Sequence, residues 1–156
     1  MLRLASYDIV FQEIPDEVTL ALNLSGCPNR CTGCHSPHLQ EDTGKALNEK
    51  VLENLLEKYG NAVTCICFMG GDGFPEEVLK LAQFIRRRGE IFFALKTAWY
   101  SGKPELYKDA ELYFDYIKTG KYMKELGGLN VPTTNQRLYK IENKTMINIT
   151  NKFYKQ

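Results

Sequence analysis

The sequence carries no excess of either charge. Its 20 Lys and Arg stand against 19 Asp and Glu, a formal net charge of +1. That balance argues against a broad polyanion-binding surface, so nucleic acid is not an expected partner. Long hydrophobic runs are also missing. No stretch approaches the roughly 20 apolar residues of a membrane-spanning helix. The apolar start, Met1 to Phe11, is broken by Arg3 and Asp8 and lacks the hydrophobic core of a secretory signal. A soluble, cytoplasmic protein with no membrane partner is expected. Repeats, low-complexity tracts and linkers are absent, so residues 1–156 read as a single domain. Cysteine is scarce, and its five copies are an odd number. An odd, clustered set in a reducing compartment points to metal and away from a disulfide framework.

Three of those cysteines fall in one short stretch, Ser25 to His38. Cys27, Cys31 and Cys34 have the spacing Cys-x3-Cys-x2-Cys, and the Gly, Pro and Asn between them favour a loop. A loop can wrap an inorganic core and point several thiolates inward. Three thiolates leave one coordination position without a cysteine, and an open position can bind a substrate. Thiolates suit iron–sulfur clusters. A closed zinc site is the alternative, with His35 or His38 completing a Cys3His set.

The surrounding pattern alternates strands and helices. Met1 to Pro15 reads as an irregular strand or extended lead-in. Val18 to Leu24 is a clearer strand that delivers the chain to the cysteines. Leu47 to Tyr59 places Leu47, Val51, Leu52, Leu55, Leu56 and Tyr59 on one helical face, with Asn48 as N-cap and Gly60 as terminator. Ala62 to Met69 reads as a buried strand ending in Gly70-Gly71-Asp72. Pro75 to Arg88 is a helix stopped by Gly89, with Glu76 and Glu77 at its start and Arg86 to Arg88 at its solvated end. A strand is expected at Ile91 to Leu95, a short helix around Pro104 to Lys108, and a strand at Tyr113 to Lys118. Arg137 to Ile141 and Thr145 to Ile149 form a hairpin about Glu142-Asn143-Lys144. Such alternation implies a parallel sheet with right-handed crossovers. The expected fold class is α/β, a partial, open (β/α) barrel with a C-terminal β-hairpin, since the length falls short of the ~250 residues of an eight-unit barrel.

In that arrangement the loops after the strands gather at one edge. Gly70 and Gly71 let backbone approach a ligand with no Cβ in the way. Trp99, Tyr100 and Ser101 fall on the same edge; the rings either line a pocket or pack in a loop, and Ser101 could reach a ribose hydroxyl. Lys118 could meet a carboxylate, but a solvated lysine is expected. Cys65 and Cys67 share one strand face and read as small hydrophobes of the core.

The cysteine spacing resembles the cluster loop of the radical S-adenosylmethionine (SAM) enzymes, and Gly70-Gly71-Asp72 resembles their Gly-Gly-Glu motif, with Asp in place of Glu. The order Cys-Thr-Gly-Cys-His, Met-Gly-Gly-Asp, Trp-Tyr-Ser-Gly, Phe-Asp-Tyr-Ile-Lys-Thr-Gly and Pro-Thr-Thr-Asn-Gln-Arg resembles the activating proteins of anaerobic (class III) ribonucleoside-triphosphate reductases. That resemblance implies the radical SAM type of barrel. It implies a 4Fe-4S cluster on Cys27, Cys31 and Cys34 as the catalytic and metal residues, with the fourth iron open to SAM. SAM contacts would come from Gly33, Cys34, His35, Gly70, Gly71, Asp72 and Ser101. The implied reaction is reductive cleavage of SAM to methionine and a 5′-deoxyadenosyl radical, which takes a hydrogen from a glycine near the C-terminus of the reductase large subunit. A flavodoxin-, ferredoxin- or thioredoxin-type protein would donate the electron. Two other readings are an activase for a glycyl radical enzyme of formate-lyase type, and a non-catalytic Cys3His zinc-binding interaction module.

Overall fold

Strand β2 (Thr19–Leu24) and strand β4 (Cys65–Met69) are almost wholly buried, as their near-continuous apolar sequences require. They pair in parallel, Leu20 beside Ile66 and Leu22 beside Phe68. This pair is the centre of the fold in a computed structural model that describes residues 1–25, 44–88 and 95–153. Strands β5 (Lys96–Tyr100) and β6 (Tyr116–Thr119) continue the parallel ladder. Strands β1 (Arg3–Val10), β3 (Lys45–Ala46), β7 (Arg137–Glu142) and β8 (Thr145–Asn148) flank it in antiparallel pairing. The order is β3-β1-β2-β4-β5-β6-β7-β8, an open mixed sheet with β3 and β8 at its edges. The expected lead-in is a strand with a register irregularity between Leu4 and Ser6, and β3 was not legible in two residues.

Helices α1 (Glu49–Tyr59) and α2 (Pro75–Arg87) cover one face of the sheet. Asn48 caps α1 by accepting from Val51 N at 3.0 Å, and Gly60 follows it. Leu52, Leu55, Leu56, Val78, Leu81 and Ile85 pack on Leu20, Leu22, Ile66, Phe68 and Trp99. Phe68 meets Phe114 edge-on at 6.2 Å and Trp99 lies 5.6 Å from Phe114, centroid to centroid. Each such buried ring contributes about 1.5–3 kcal/mol relative to exposure. Arg86 and Arg87 are exposed, as expected of a solvated helix end, and Arg88 is half-buried. They pair with Asp115, Glu49 and Glu53, tying α2 to α1 and to the approach to β6.

The other face is closed differently. The connection from β1 to β2 folds across it and buries Ile14 among Cys65, Cys67, Ala98, Tyr116, Leu138 and Ile149. Cys65 and Cys67 are core, as expected, and burial pushes both thiols well up.

Three element boundaries differ from expectation. The third parallel strand is Lys96–Tyr100; of the expected Ile91 to Leu95, all but Leu95 lies outside the described residues, as does Gly89. The short helix around Pro104 is absent, and a single 3-10 turn stands at Ala110–Leu112. Strand β6 begins at Tyr116, since Tyr113 and Phe114 still belong to the turn that packs on Trp99. The tail hairpin forms as expected. Asn143 and Lys144 both take positive φ, +50° and +65°, the requirement of a two-residue type I′ turn. Among the described residues no helix is long and apolar enough to cross a membrane.

Candidate functional site

The four parallel strands end on one edge, and residues at or next to their ends lie in register: Asn23, Met69, Tyr100 and Lys118 form one row across the sheet. Behind that row come Ser25, Gly70-Gly71-Asp72, Ser101-Gly102 and Gly120. The cysteine-bearing connection leaves this edge at Ser25, whose N–H donates to the Arg3 carbonyl at 3.0 Å. It returns at Gly44, whose carbonyl accepts from Arg3 Nη1 at 3.3 Å. Residues 26–43 lie outside the described residues, and with them Cys27, Cys31, Gly33, Cys34, His35 and His38.

Gly70 and Gly71 hold φ of +104° and +88°. A Cβ on Gly71 would stand 2.7 Å from Val78 Cγ2 and 3.0 Å from Leu24 Cδ1. Only glycine fits there, because the turn drops the start of α2 tightly against β2. The turn is fixed from β5. Tyr100 O accepts from Gly70 N at 3.0 Å, and Trp99 Nε1 donates to the Gly70 carbonyl at 2.7 Å.

Asp72 and Ser101 meet, as a shared edge predicts, but they meet each other. Ser101 Oγ donates to Asp72 Oδ1 at 2.6 Å, and Gly102 N donates to Asp72 Oδ2 at 2.8 Å. Both residues are buried. Their pairing locks the turn after β4 to the turn after β5. Trp99 is 2% exposed and belongs to the core, so of the two readings of that ring, packing holds. Tyr100 points the other way. Its hydroxyl donates to the Glu13 carbonyl, and burial pushes its phenol well up.

Lys118 departs from the expected solvated lysine. It is 8% exposed. Its Nζ donates to the Gly120 carbonyl at 3.0 Å and lies 5.6 Å from the centroid of the Tyr100 ring. Met69, Tyr100 and Lys118 line a cavity of about 1040 Å³, whose walls include Glu13, Tyr122 and Gln136. That volume is at the upper end of small-molecule and cofactor sites. Sequence reasoning missed Gln136 and Glu13. A signal for Lys118 was present in Lys-Thr-Gly, since a glycine just past a strand end brings a carbonyl back toward the ammonium.

The opposite edge holds a second polar cluster. Glu17 accepts from Lys96 Nζ, Tyr116 Oη and Thr64 Oγ1, each at 2.7 Å. Burial pushes the Glu17 carboxyl up, but these three hydrogen bonds outweigh it and hold the group below its ordinary value. The Glu17 hydrogen bond in turn raises Lys96. Burial, reinforced by Glu17, pushes Tyr116 far up. This cluster joins the starts of β2, β4, β5 and β6 and lies away from the cavity edge.

Among the described residues no three His, Cys, Asp or Glu gather as a metal site. The family model of the 4Fe-4S single cluster domain matches residues 17–125. That span runs from Glu17 through the whole parallel sheet and includes all five cysteines. No curated protein and no solved structure matches the chain.

Proposed function

The chain belongs to the 4Fe-4S single cluster domain family, and from that premise we propose that it is a radical SAM activase. Its substrate is the large subunit of an anaerobic ribonucleoside-triphosphate reductase, on which it generates the glycyl radical. The observation that carries this reading is the shared edge: the connection bearing three cysteines leaves β2 beside the Gly70-Gly71 turn, next to a cavity of about 1040 Å³.

The donor set fits the cluster by elimination. Cys65 and Cys67 are fully buried within β4 and their thiols are pushed up, so they are poor thiolate donors. Cys27, Cys31 and Cys34 remain. These three would hold the cluster and leave one iron open to SAM. When bound and reduced by an external one-electron donor, the cluster would supply the electron that splits SAM into methionine and a 5′-deoxyadenosyl radical able to take a hydrogen atom from the substrate glycine.

The remaining work belongs to the chain's own groups. Gly70 would present backbone to the SAM amino group without a side chain in the way, and Gly71, packed on Val78 and Leu24, shapes that turn. Asp72 acts through Ser101 and Gly102 by holding that turn in place, so its carboxylate is a positioning group. Phe11, Met69 and Phe153 give the cavity apolar wall, which would limit quenching once a substrate covers it. A partial barrel of the radical SAM type is the curvature this reading assigns to the open sheet, its mouth left free for a protein segment.

The test is anaerobic. The protein is reconstituted with iron and sulfide, reduced and given SAM, with Cys31→Ala alongside. Production of 5′-deoxyadenosine by the parent and not by the variant is expected, followed by a glycyl radical signal on added reductase. A fully loaded, reducible cluster that yields no 5′-deoxyadenosine refutes the proposal. Zinc in place of iron points to the binding-module reading, and a radical formed only on a formate-lyase type enzyme reassigns the partner.

A further inference from the structure

Four consecutive residues, Thr133 to Gln136, each send one side-chain donor into the connection that follows β6. Thr133 Oγ1 donates to the Leu126 carbonyl at 2.7 Å and Thr134 Oγ1 to that of Gly127 at 3.0 Å. Asn135 Nδ2 donates to the Lys121 carbonyl at 3.1 Å and Gln136 Nε2 to that of Gly120 at 3.3 Å. Lys118 Nζ converges on the same Gly120 carbonyl. An irregular connection has no ladder to satisfy its backbone, so side chains must do so. The fit is close. A Cβ on Gly120 would stand 3.1 Å from Asn135 O and 3.2 Å from Gln136 Cα, at a φ of +91°. Within the connection, Gly127 N donates back to Met123 O at 2.9 Å, and the two residues bridge.

The stretch held in this way contributes Tyr122, Gly128, Leu129 and Asn130 to the wall of the large cavity. It rises from β6, whereas the cysteine-bearing connection leaves from β2. The two are three strand spacings apart in the sheet, or about 14 Å at ~4.8 Å per strand. A small molecule held by the cysteines and the Gly70-Gly71 turn occupies the β2 and β4 end of the edge. The wall over β6 faces whatever reacts with it.

We infer that Thr133–Gln136 is a positioning element for residues 120–130, and that this wall selects the glycine-bearing segment of the protein substrate and takes no part in SAM handling. The inference rests on the activase reading and deepens it. Gly128 gives the wall a position bare of a side chain, which suits an extended backbone passing close by, while Gly127 at φ +84° serves the turn packed on Val131.

The test is the double variant Thr133→Val/Asn135→Ala in the full-length, cluster-loaded protein. It removes the Leu126 and Lys121 bonds and leaves the buried Thr134 and Gln136 in place. Two lost hydrogen bonds predict amide hydrogen exchange in 121–130 faster by roughly tenfold or more. SAM cleavage without reductase stays within about twofold, while KM for the reductase rises on the order of tenfold with kcat little changed. Should the double variant not fold, Thr133→Val alone, at an exposed position, is expected to give about threefold in exchange and KM. Unchanged exchange overturns the positioning role. Faster exchange with unchanged KM overturns the selection role, as does an equal loss of SAM cleavage. Wild-type protein that makes no 5′-deoxyadenosine from a full cluster refutes the activase reading and the selection with it, while exchange still decides the positioning.

Discussion

Replacing Glu17 tests whether one buried carboxylate joins the starts of four parallel strands. Its side chain accepts three hydrogen bonds of 2.7 Å, from Lys96, Tyr116 and Thr64. Thr64 Oγ1 in turn accepts from Val18 N at 2.9 Å. In Glu17→Ala, the Tyr116 and Thr64 hydroxyls lose a charged acceptor, and bonds of that kind are worth about 1.5–3 kcal/mol each. The Lys96 side chain is 41% exposed, so its share is screened and small, at most about 1 kcal/mol. The two hydroxyls relax toward water in part, and a net loss of about 3 kcal/mol is expected. Glu17→Gln keeps the shape and one good acceptor and should cost about 1–2 kcal/mol. Trp99, the sole tryptophan, is buried in the same sheet and reports unfolding by fluorescence. Urea titration under anoxia, read by fluorescence and by far-UV circular dichroism, measures both variants. The pH dependence supplies a second arm. The folded carboxyl lies below its unfolded value, so the wild-type advantage over Glu17→Gln is present above the unfolded carboxyl pKa of about 4.3 and is lost as pH falls through the lower, folded value. A Glu17→Ala loss under about 0.5 kcal/mol, or a Glu17→Gln deficit that does not shrink on acidification, refutes the reasoning.

Other expectations follow from the cavity edge and the core. Gly71→Ala forces a Cβ to 2.7 Å from Val78 Cγ2 at a φ of +88°; a destabilisation of about 2 kcal/mol or more, read as a lower urea midpoint, is expected together with weaker SAM binding. Asp72→Ala orphans the Ser101 hydroxyl and the Gly102 N–H and should cost about 2–3 kcal/mol; Asp72→Asn, which keeps an acceptor, should recover much of this, and equal losses would contradict the positioning role. Trp99→Phe leaves the Gly70 carbonyl without its 2.7 Å donor and is expected to cost about 1–3 kcal/mol and to loosen amide protection at the Gly70-Gly71 turn. Thiol titration of the iron-free protein should find two of the five cysteines reacting only on unfolding, since Cys65 and Cys67 are buried and raised; prompt reaction of all five contradicts their place in the core.

Sequence patterns carried the elements whose causes are local. The spacing of Leu52, Leu55 and Leu56 and the Asn48 cap predict α1, and Asn143-Lys144 between alternating segments predicts the hairpin. The start of β5 was not legible. Ile91 to Leu95 is the more apolar run, yet the strand starts at Lys96, a residue that stands beside Cys65 and meets Glu17 across the sheet. The polar end of the strand is set by a partner far away in sequence. The same holds for Lys118, whose burial depends on Tyr100 and Gly120, and for Arg86 to Arg88, whose acids lie on α1 and at Asp115. At the candidate site, glycines announced themselves through conformational need. Asp72 and Ser101 were both identifiable as edge residues, but their attachment to each other depends on β4 and β5 being neighbours.

Strand β1 has a bearing on cofactor capture that goes beyond sheet formation. Its first residues hold both ends of the cysteine-bearing connection, Ser25 on the β2 side and Gly44 on the β3 side, about 10 Å apart at two strand spacings. Closing a long segment costs entropy that grows with its length, and here the strand meets that cost before any iron arrives. If Cys27, Cys31 and Cys34 are the ligands, as proposed, tying the ends of their connection would raise their effective concentration toward one cluster. On the proposed ligand set, β1 thereby bears on how readily the chain assembles its iron, and disturbing Arg3 or Leu4 is expected to weaken cluster retention without touching a ligand.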